Sequence, residues 1–257
     1  MNNKSVLITG SSRGIGKELA LAYGKQGHSI ILIARNEKQL IENQKQIIAS
    51  GGQANYISCD VSKPDDLQAA INEAYSIIDR IDIAILNAGI GESISFTKDY
   101  PEKLRYIFEV NFFSAVVAMD ILVPKMKEQG GGTIAAVGSL ADFGGLPGSA
   151  AYSTSKIALS HYLESARIEL KQHNIRIITI KPGFVKTDMT ARHKYPMPFI
   201  MNAAKAAKII INGIDINKNR IYFPFFPAFV VYIFKLLPGS ITDKILGNWK
   251  NQSSKYD

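Results

Sequence analysis

Short apolar runs alternate with longer amphipathic segments along most of the chain. Residues 5–9 and 29–34 are apolar at nearly every position, a pattern typical of strands whose two faces are both covered by helices. Between such runs, apolar residues recur at helical spacing, as in residues 37–50, which end at the glycine pair Gly51-Gly52. This alternation favours a sheet of parallel strands with helices on both sides.

The same pattern gives the order of the elements. Strands are predicted at residues 5–9, 29–34, 55–59, 81–86, 133–137, 175–180 and 220–223. Helices are predicted after the first strand and at residues 37–50, 64–79, 101–129 (as one helix or two in sequence), 152–172 and 203–213. We expect one α/β domain with a doubly wound, mostly parallel sheet of the Rossmann type, flanked by helices. Residues 1–190 would form its dinucleotide-binding and catalytic core, and residues 191–257 a substrate-binding, C-terminal extension of the same domain.

Composition supports a single globular domain in a reducing compartment. The chain has 257 residues, of which 46% are hydrophobic and 20% charged, enough to bury a sizeable core. Its one cysteine, Cys59, excludes an internal disulfide framework. The apolar run near the N-terminus is too short for a signal peptide, and no stretch reaches the roughly 18 uninterrupted apolar residues of a membrane span. We therefore expect a cytoplasmic location.

A glycine-rich loop follows the first predicted strand and opens a helix. It reads Gly10-Ser11-Ser12-Arg13-Gly14-Ile15-Gly16. Glycines at such a turn let the backbone approach a pyrophosphate, and the helix N-terminus supplies free N–H groups and a partial positive charge. The spacing differs from the common G-x-G-x-x-G fingerprint, but its place at the first strand-to-helix turn of an alternating chain favours dinucleotide binding.

The residues after the second predicted strand indicate which dinucleotide binds. An acidic residue there would bind the ribose 2′-hydroxyl of NAD and repel a 2′-phosphate. Ala34 and Arg35 occupy this position instead, and Arg13 lies in the glycine loop. Each arginine alone could be an ordinary exposed charge, but two guanidiniums and the hydroxyls of Ser11 and Ser12 suit a phosphate dianion. The sequence therefore predicts NADP(H).

Three side chains that could move a proton lie between residues 139 and 156. Tyr152 and Lys156 are four residues apart, so they share one face of the predicted helix. An ammonium beside a phenol favours the phenolate and lowers the phenol pKa from about 10 towards neutrality. Ser139, after the fifth predicted strand, could offer its hydroxyl to a substrate oxygen. The Y-x-x-x-K spacing alone is a weak signal, because it also occurs by chance on surface helices.

Taken together, these motifs are similar to those of a known family. Thr9-Gly10-x-x-x-Gly14-x-Gly16, Asn87-Ala88-Gly89, Asn111, Ser139, Tyr152-x-x-x-Lys156 and Pro182-Gly183 occur in this order. The chain resembles the short-chain dehydrogenase/reductase family, in its short, single-domain, NADP-preferring branch. The resemblance runs from about Lys4 to Thr187 without a departure at these positions, and it weakens beyond Thr187.

The resemblance implies an acid–base mechanism that interconverts a carbonyl and a secondary alcohol. Tyr152 would be the general acid in reduction and the general base in oxidation, and Ser139 would hold the substrate oxygen. Lys156 would lower the pKa of Tyr152 and bind the hydroxyls of the nicotinamide ribose. Asn111 would hold a water that links Lys156 to solvent for proton resupply.

The resemblance also implies how the cofactor would lie. Asp60 and Val61 would meet the adenine, and the turn Asn87-Ala88-Gly89 would line the adenine ribose. Residues after the sixth predicted strand would hold the nicotinamide and diphosphate, namely Pro182, Gly183, Val185 and Thr187. The four histidines and the cysteine lack the spacing of metal ligands, so no metal site is predicted.

Two other classes of protein fit parts of the pattern. A catalytically idle, NADPH-binding regulatory protein could keep the fold, but it would not need the proton-transfer groups Tyr152, Lys156, Ser139 and Asn111. An oligomeric scaffold would leave the glycine loop unexplained. An NADP(H)-dependent oxidoreductase for an apolar carbonyl or alcohol substrate, assembled as a homodimer or homotetramer, uses all the motifs. Nucleic acid is not an expected partner.

The last quarter of the chain is unusually aromatic and basic. Residues 222–238 form an apolar run broken by Pro224, Pro227 and Pro238, and residues 194–257 carry nine Lys or Arg against three Asp or Glu. Three interpretations stay open: packing on the sheet edge or a second subunit, a lid over an apolar substrate pocket, or peripheral contact of residues 222–250 with an anionic membrane. Because prolines interrupt helices, only a short helix over residues 229–237 is expected in the run.

Overall fold

The structure, a computed structural model, describes residues 3–92, 100–145, 148–192 and 197–253. Its strands are β1 Ser5–Thr9, β2 Ser29–Ala34, β3 Gln53–Ser58, β4 Ile83–Leu86, β5 Gly132–Val137, β6 Ile175–Pro182, β7 Val185–Lys186, β8 Met201–Asn202 and β9 Arg220–Phe223. The main sheet has the order β3-β2-β1-β4-β5-β6-β9, and every neighbouring pair is parallel. The two short strands β7 and β8 pair separately. The predicted doubly wound parallel sheet is confirmed.

Helices connect the strands of the main sheet. They are α1 Gly14–Lys25, α2 Glu37–Ala49, α3 Pro64–Ile77, α4 Tyr100–Phe108, α5 Ser114–Glu128, α6 Ala150–Leu170, α7 Ala203–Asp215, α8 Phe225–Lys235 and α9 Gly239–Ser253. A π-helical turn, Glu109–Phe113, joins α4 to α5, so the helical region predicted at residues 101–129 is two helices in sequence. A short 3₁₀ turn, Leu140–Phe143, follows β5.

Both faces of the main sheet are buried. Val6 and Ile8 of β1 pack into a core that also contains residues of α1, α2 and α7. Leu7, between them, packs into a second core with residues of α3, α5 and α6. Successive residues of one strand therefore serve opposite cores, which explains why the central strands such as β1 and β4 are apolar at nearly every position. The edge strands β3 and β9 instead alternate buried and more exposed residues.

The carboxyl ends of the parallel strands lie at one edge of the sheet. The strand order reverses between β1 and β4, and open α/β sheets bind ligands in the crevice at such a point. Two positions differ slightly from prediction. Asp60 is separated from β3 by one residue, whereas the predicted strand reached residue 59, and Pro182 is the last residue of β6, whereas the predicted strand ended at residue 180.

Within the described ranges, one continuous helical stretch, Tyr100–Glu128, is long and apolar enough to cross a membrane by length and composition alone. Its residues Val110, Ala118 and Leu122 are buried in the core shared with α3 and α6. Because these side chains pack against the sheet, the stretch is a core element of the fold.

The C-terminal segment contributes to the sheet and then leaves it. β9 pairs with β6 and completes the sheet, and α8 starts directly afterwards. α8 begins at Phe225 and includes Pro227, so the predicted start at residue 229 was wrong. Pro227 is the third residue of α8, where a backbone N–H has no partner inside the helix, so proline costs no hydrogen bond there. The boundary between residues 190 and 191 stays a prediction.

Candidate active site

The glycine loop is fixed against the end of β4 by one amide side chain. Asn87 Nδ2 donates to the carbonyl oxygens of Thr9 and Gly10, both at 3.0 Å. Thr9 Oγ1 accepts the N–H groups of Asn87 and Ala88 at 3.0 and 3.1 Å. A Cβ on Gly16 would overlap the Gly10 carbonyl and the Asn87 amide. Only glycine fits at residue 16. These hydrogen bonds join the glycine loop and the turn after β4 into one rigid unit, which forms the floor of the candidate site.

Two details of the loop were missed or misjudged from the sequence. Asn43 in α2 is buried and donates to the carbonyl oxygens of Ser11 and Ser12, both at 3.0 Å. The Ser11 hydroxyl is fully buried and donates to the Ile33 carbonyl at 3.3 Å. The expectation that this hydroxyl faces a phosphate is therefore wrong. A polar residue on the buried face of α2 was the available signal for Asn43.

The two arginines lie at the outer rim of this floor. Arg35 Nη1 donates to the Tyr106 hydroxyl at 3.0 Å and lies 3.9 Å from Asp60 Oδ2. Arg13 Nη1 forms an ion pair with Asp188 at 3.0 Å. Both arginine side chains are more than half exposed, at 55% and 56%. Exposed ion pairs of this kind are weak, so either guanidinium can turn towards a phosphate at little cost.

Ser139, Tyr152 and Lys156 meet beside the end of β5. The Ser139 hydroxyl accepts the Ala141 N–H at 3.0 Å and is hydrogen-bonded to the Tyr152 hydroxyl. Lys156 Nζ donates to the Val137 carbonyl at 2.8 Å and lies 5.9 Å from the centre of the Tyr152 ring. The 3₁₀ turn after β5 and the first turns of α6 thus bring together the three side chains predicted to move a proton.

Asn111 belongs to the same cluster. Its Oδ1 accepts the Ile90 N–H at 2.8 Å, and its Nδ2 donates to the Ile90 carbonyl and to Ser155 Oγ, both at 3.0 Å. A Cβ on Gly89 would lie 3.3 Å from both Asn111 Oδ1 and Lys156 Nζ, so these groups converge on one point. Asn111 lies in the π-helical turn, a feature that is frequent at functional sites. The water that Asn111 would hold stays a prediction.

The acid–base behaviour of the cluster differs from that expected from spacing. Burial is the largest influence on the pKa of Tyr152 and raises it, hydrogen bonding to Ser139 lowers it, and Asp142 raises it. Burial lowers the pKa of Lys156 to about 8, against an opposing effect of Asp142. The expected net lowering of the Tyr152 pKa was therefore wrong for the chain by itself, because burial and the Asp142 carboxylate both raise this pKa and the hydrogen bond to Ser139 does not offset them.

A buried ion pair lies next to Ser139, and it was not predicted. Lys181 Nζ lies 2.6 Å from Asp142 Oδ2, which also accepts the Ser160 hydroxyl at 2.5 Å. The Lys181 and Asp142 side chains are only 8% and 3% exposed. Asp142 lies in the 3₁₀ turn that Ser139 caps, so the pair ties this turn to β6. A lysine inside a buried strand was the available signal, since it needs a buried anion beside it.

The segment after β6 reaches back to the glycine loop. A Cβ on Gly14 would lie 3.1 Å from Thr187 Cγ2, so Thr187 contacts the loop. Gly183 packs against Leu140 and Pro224, close to the turn that follows Ser139. The remaining predicted residues lie at the carboxyl ends of β1, β3 and β6, namely Ser12, Ile15, Val61, Pro182 and Val185.

Comparison with known proteins places the chain among the short-chain dehydrogenases. Residues 4–196 match the family model for short chain dehydrogenases. An uncharacterized oxidoreductase of Myxococcus xanthus is 32% identical, over 95% of this chain and 96% of that protein. Ketoacyl reductase HetN of a Nostoc species is 32% identical, over 86% of this chain and 77% of that protein.

Solved structures agree. A metagenomic short-chain oxidoreductase, solved in complex with NADP, has a TM-score of 0.71 at 27% identity and covers 81% of this chain and 89% of its own. The chain belongs to the short-chain dehydrogenase/reductase family, which confirms the resemblance found in its motifs, and it is an oxidoreductase of that family.

Lys156 should make stability depend on pH above neutrality. Its pKa is about 8 in the folded chain against an ordinary value of 10.5, so between these values the unfolded state binds more protons. The free energy of unfolding should rise with pH across this window through this group, while below it the cost of burying the charge is fully present. Lys156→Met should lack this rise. Urea unfolding of both proteins between about pH 7 and pH 10 measures it, and a pH-independent difference would contradict the assignment.

Removing one member of the buried pair should destabilise the fold strongly. Asp142→Leu leaves Lys181 buried without its carboxylate, which should cost roughly 3–5 kcal/mol of unfolding free energy. The double variant Asp142→Leu/Lys181→Met replaces the pair by apolar side chains of similar size and should be the more stable of the two. Urea denaturation compares both with the wild type. If the double variant loses as much as the single one, the unpaired charge is not the cause.

Proposed function

We propose that the protein is an NADP(H)-dependent oxidoreductase that interconverts a carbonyl and a secondary alcohol on an apolar substrate. The observation that carries the proposal is the convergence of Ser139, Tyr152 and Lys156 at the carboxyl edge of the sheet, beside a glycine loop built for close approach of a ligand. A protein that only bound the cofactor would have no use for a phenol, a buried hydroxyl and a buried amine brought together at one edge of the sheet.

The glycine loop fits a dinucleotide. Gly10 and Gly14 have φ values of 66° and 59°, in the left-handed region that favours glycine. Among the described residues, no side chain caps the N-terminus of α1, so its free N–H groups can bind a pyrophosphate. The nicotinamide cofactor would supply or accept the hydride. Thr187, which contacts Gly14, would help to hold the diphosphate, and the segment Pro182-Gly183 the nicotinamide.

Proton transfer falls to Tyr152. In reduction its hydroxyl gives a proton to the substrate oxygen, and in oxidation it takes one back. Ser139 Oγ, hydrogen-bonded to the Tyr152 hydroxyl, would donate to the same substrate oxygen and hold it in line. The lowered pKa of Lys156, about 8, suits a group that exchanges protons near neutrality and so resupplies Tyr152. Asn111, held by Ile90 and Ser155, would position the water that completes the path.

The charge around Arg35 supports NADP(H). Ala34 ends β2 where an acidic residue would select NAD, and the exposed guanidiniums of Arg35 and Arg13 pair with surface groups that hold them weakly. The carboxylate of Asp60, 3.9 Å from Arg35, offsets part of this positive charge. A 2′-phosphate would outcompete it by offering two negative charges and three acceptor oxygens.

Apolar groups around the cluster support an apolar substrate. The Gly91 backbone lies against Met189 and the ring of Tyr152. Phe143, at the end of the turn after Ser139, packs edge-to-face on Phe234 of α8 with ring centres 5.4 Å apart. These contacts place apolar groups beside Tyr152 and the turn after Ser139, and ligand sites are typically lined in this way. Assembly as a homodimer or homotetramer stays a prediction.

Replacing the phenol should abolish turnover without disturbing cofactor binding. In Tyr152→Phe the ring remains but the transferable proton is lost, so kcat should fall by about 100-fold or more. NADPH oxidation with a panel of ketones measures kcat, and fluorescence titration measures NADPH binding. Tyr162→Phe is the matched control and should retain activity, because Tyr162 lies on the same helix but packs against the core formed with residues of α3 and α5. Near-normal turnover in Tyr152→Phe would contradict the assignment.

Reversing the charge at Arg35 should reverse the cofactor preference. The wild type should prefer NADPH over NADH in kcat/KM, and Arg35→Asp should lower that ratio by at least about tenfold, since the new carboxylate repels the 2′-phosphate and accepts the ribose hydroxyls. Lys45→Asp, an exposed position of α2, controls for the change in net charge. A wild type that prefers NADH, or an unchanged ratio in Arg35→Asp, would show that Arg35 does not select the cofactor.

A further inference from the structure

Helix α8 presents its most apolar side to solvent. At 100° per residue the exposed side chains cover about 160° of the helix, and each is between 43% and 83% exposed. They are Phe225, Phe226, Phe229, Val230, Tyr232, Ile233 and Leu236. The opposite side, with Val231 and Phe234, is half-buried against the protein. A surface helix normally turns polar residues to water, so the pattern of α8 is inverted.

The next helix along the chain, α9, also exposes apolar side chains. Ile241 and Ile245 of α9 lie one helical turn apart and are 45% and 46% exposed. Scattered apolar side chains are normal on a protein surface, whereas a contiguous apolar patch marks a surface that is covered by something else. We call these exposed residues of α8 and α9 the α8 surface.

A basic cleft adjoins the α8 surface. Lys205 and Lys208 of α7 and Lys218 before β9 line a cleft of about 240 Å³ whose wall also includes Tyr222. Tyr222 lies in β9, three residues before α8 begins, so the chain passes directly from the wall of the cleft into that helix. The described residues that line it include no carboxylate. Three ammonium groups around a small cleft suit a phosphate group.

We propose that the α8 surface and the lysine cleft dock the protein on an anionic membrane. The aromatic residues of α8 would lie at the boundary between headgroups and acyl chains, where such side chains are favoured. The cleft formed by Lys205, Lys208 and Lys218 would take lipid phosphates, and the surrounding positive charge would attract the anionic surface. A helix lying flat with a wholly apolar outer side fits this geometry without spanning the bilayer.

Charge favours a membrane over a second copy of the chain. Residues 194–257 carry nine Lys or Arg and three Asp or Glu, a net charge of +6. A two-fold contact brings the same surface patch of each copy together, so two strongly positive segments would repel. An anionic surface complements the same charge. The outward side of α8 also points away from Phe143 and the turn after Ser139, which its inner side contacts, so it is not the side that would cover the site.

The position of α8 gives docking a consequence for catalysis. Its inner side rests on the 3₁₀ turn Leu140–Phe143, directly after Ser139. A docked enzyme would therefore hold the mouth of its site at the membrane surface and could draw an apolar substrate from the bilayer. This consequence rests on the proposed function, whereas membrane binding itself does not.

Vesicle binding tests the proposal directly. The full chain would be sedimented with vesicles of phosphatidylcholine alone and of phosphatidylcholine with phosphatidylglycerol, at low and high salt. Binding should be at least about tenfold tighter to the anionic vesicles at low salt and should weaken as salt shortens the Debye length. Trp249, the single tryptophan, lies in α9, and its fluorescence should shift to the blue on binding.

Variants separate the contribution of the apolar side chains of α8 to membrane binding from that of the lysines of the cleft. Phe229→Glu/Ile233→Glu and Lys205→Glu/Lys208→Glu should each weaken binding to anionic vesicles by at least about tenfold. Ile168→Glu, at a position of α6 that is 79% exposed, and Lys45→Glu are matched controls and should bind like the wild type. Tyr152→Phe should also bind normally, so loss of the proposed activity and loss of docking are distinguishable.

Two results would overturn the proposal. The first is a full chain that stays in the supernatant with anionic vesicles at low salt. The second is a stable dimer, detected by light scattering, that Phe229→Glu/Ile233→Glu dissociates while vesicle binding is absent in the wild type. The second result would assign the α8 surface to a second copy of the chain.

Discussion

Burial of the sheet on both faces is the constraint from which the rest of the structure follows. Ile8 and Leu7 of one strand face opposite cores, so a polar side chain in mid-strand has no water to reach. Polar residues collect instead where strands end, and parallel strands end at one edge. Asn87 and Ser139 are therefore brought together from distant parts of the chain. Lys181, which lies inside β6, is accommodated there because the Asp142 carboxylate lies 2.6 Å away.

Burial of the sheet on both faces also determined which features of the structure could be predicted from the sequence. A strand that is buried on both faces is apolar at nearly every residue, so the strands could be predicted from the sequence. The polar residues near their carboxyl ends, such as Asn87 and Tyr152, could then be predicted as well. Pairs of residues that come into contact only in the folded chain left weaker signals in the sequence. The pairing of Lys181 with Asp142 and the support of the glycine loop by Asn43 depend on neighbours far away in sequence. The direction of the Tyr152 pKa depends on depth of burial, which no spacing reveals.

The cluster at the end of β5 is governed by three buried charges and one phenol. Lys156 and Lys181 contribute two ammonium groups and Asp142 one carboxylate. Asp142 is bound to Lys181 and Ser160, and its charge also raises the pKa of Tyr152 and opposes the lowering of the Lys156 pKa, while Lys156 donates to the Val137 carbonyl. These charged side chains are buried, so each added or removed charge has a larger effect than it would at the surface.

Helices α8 and α9 come last in the chain, after every residue of the candidate active site. Both helices follow β9, the last strand of the sheet, and among the described residues α8 packs on the turn after Ser139 through Phe234 and on Phe199 through Phe226. Substitutions in α8 and α9 therefore leave the backbone that carries Tyr152, Lys156 and the glycine loop in place. Under the proposed docking, where the enzyme works and what it does would be encoded in consecutive stretches of sequence, so during divergence one could be exchanged while the other is inherited intact.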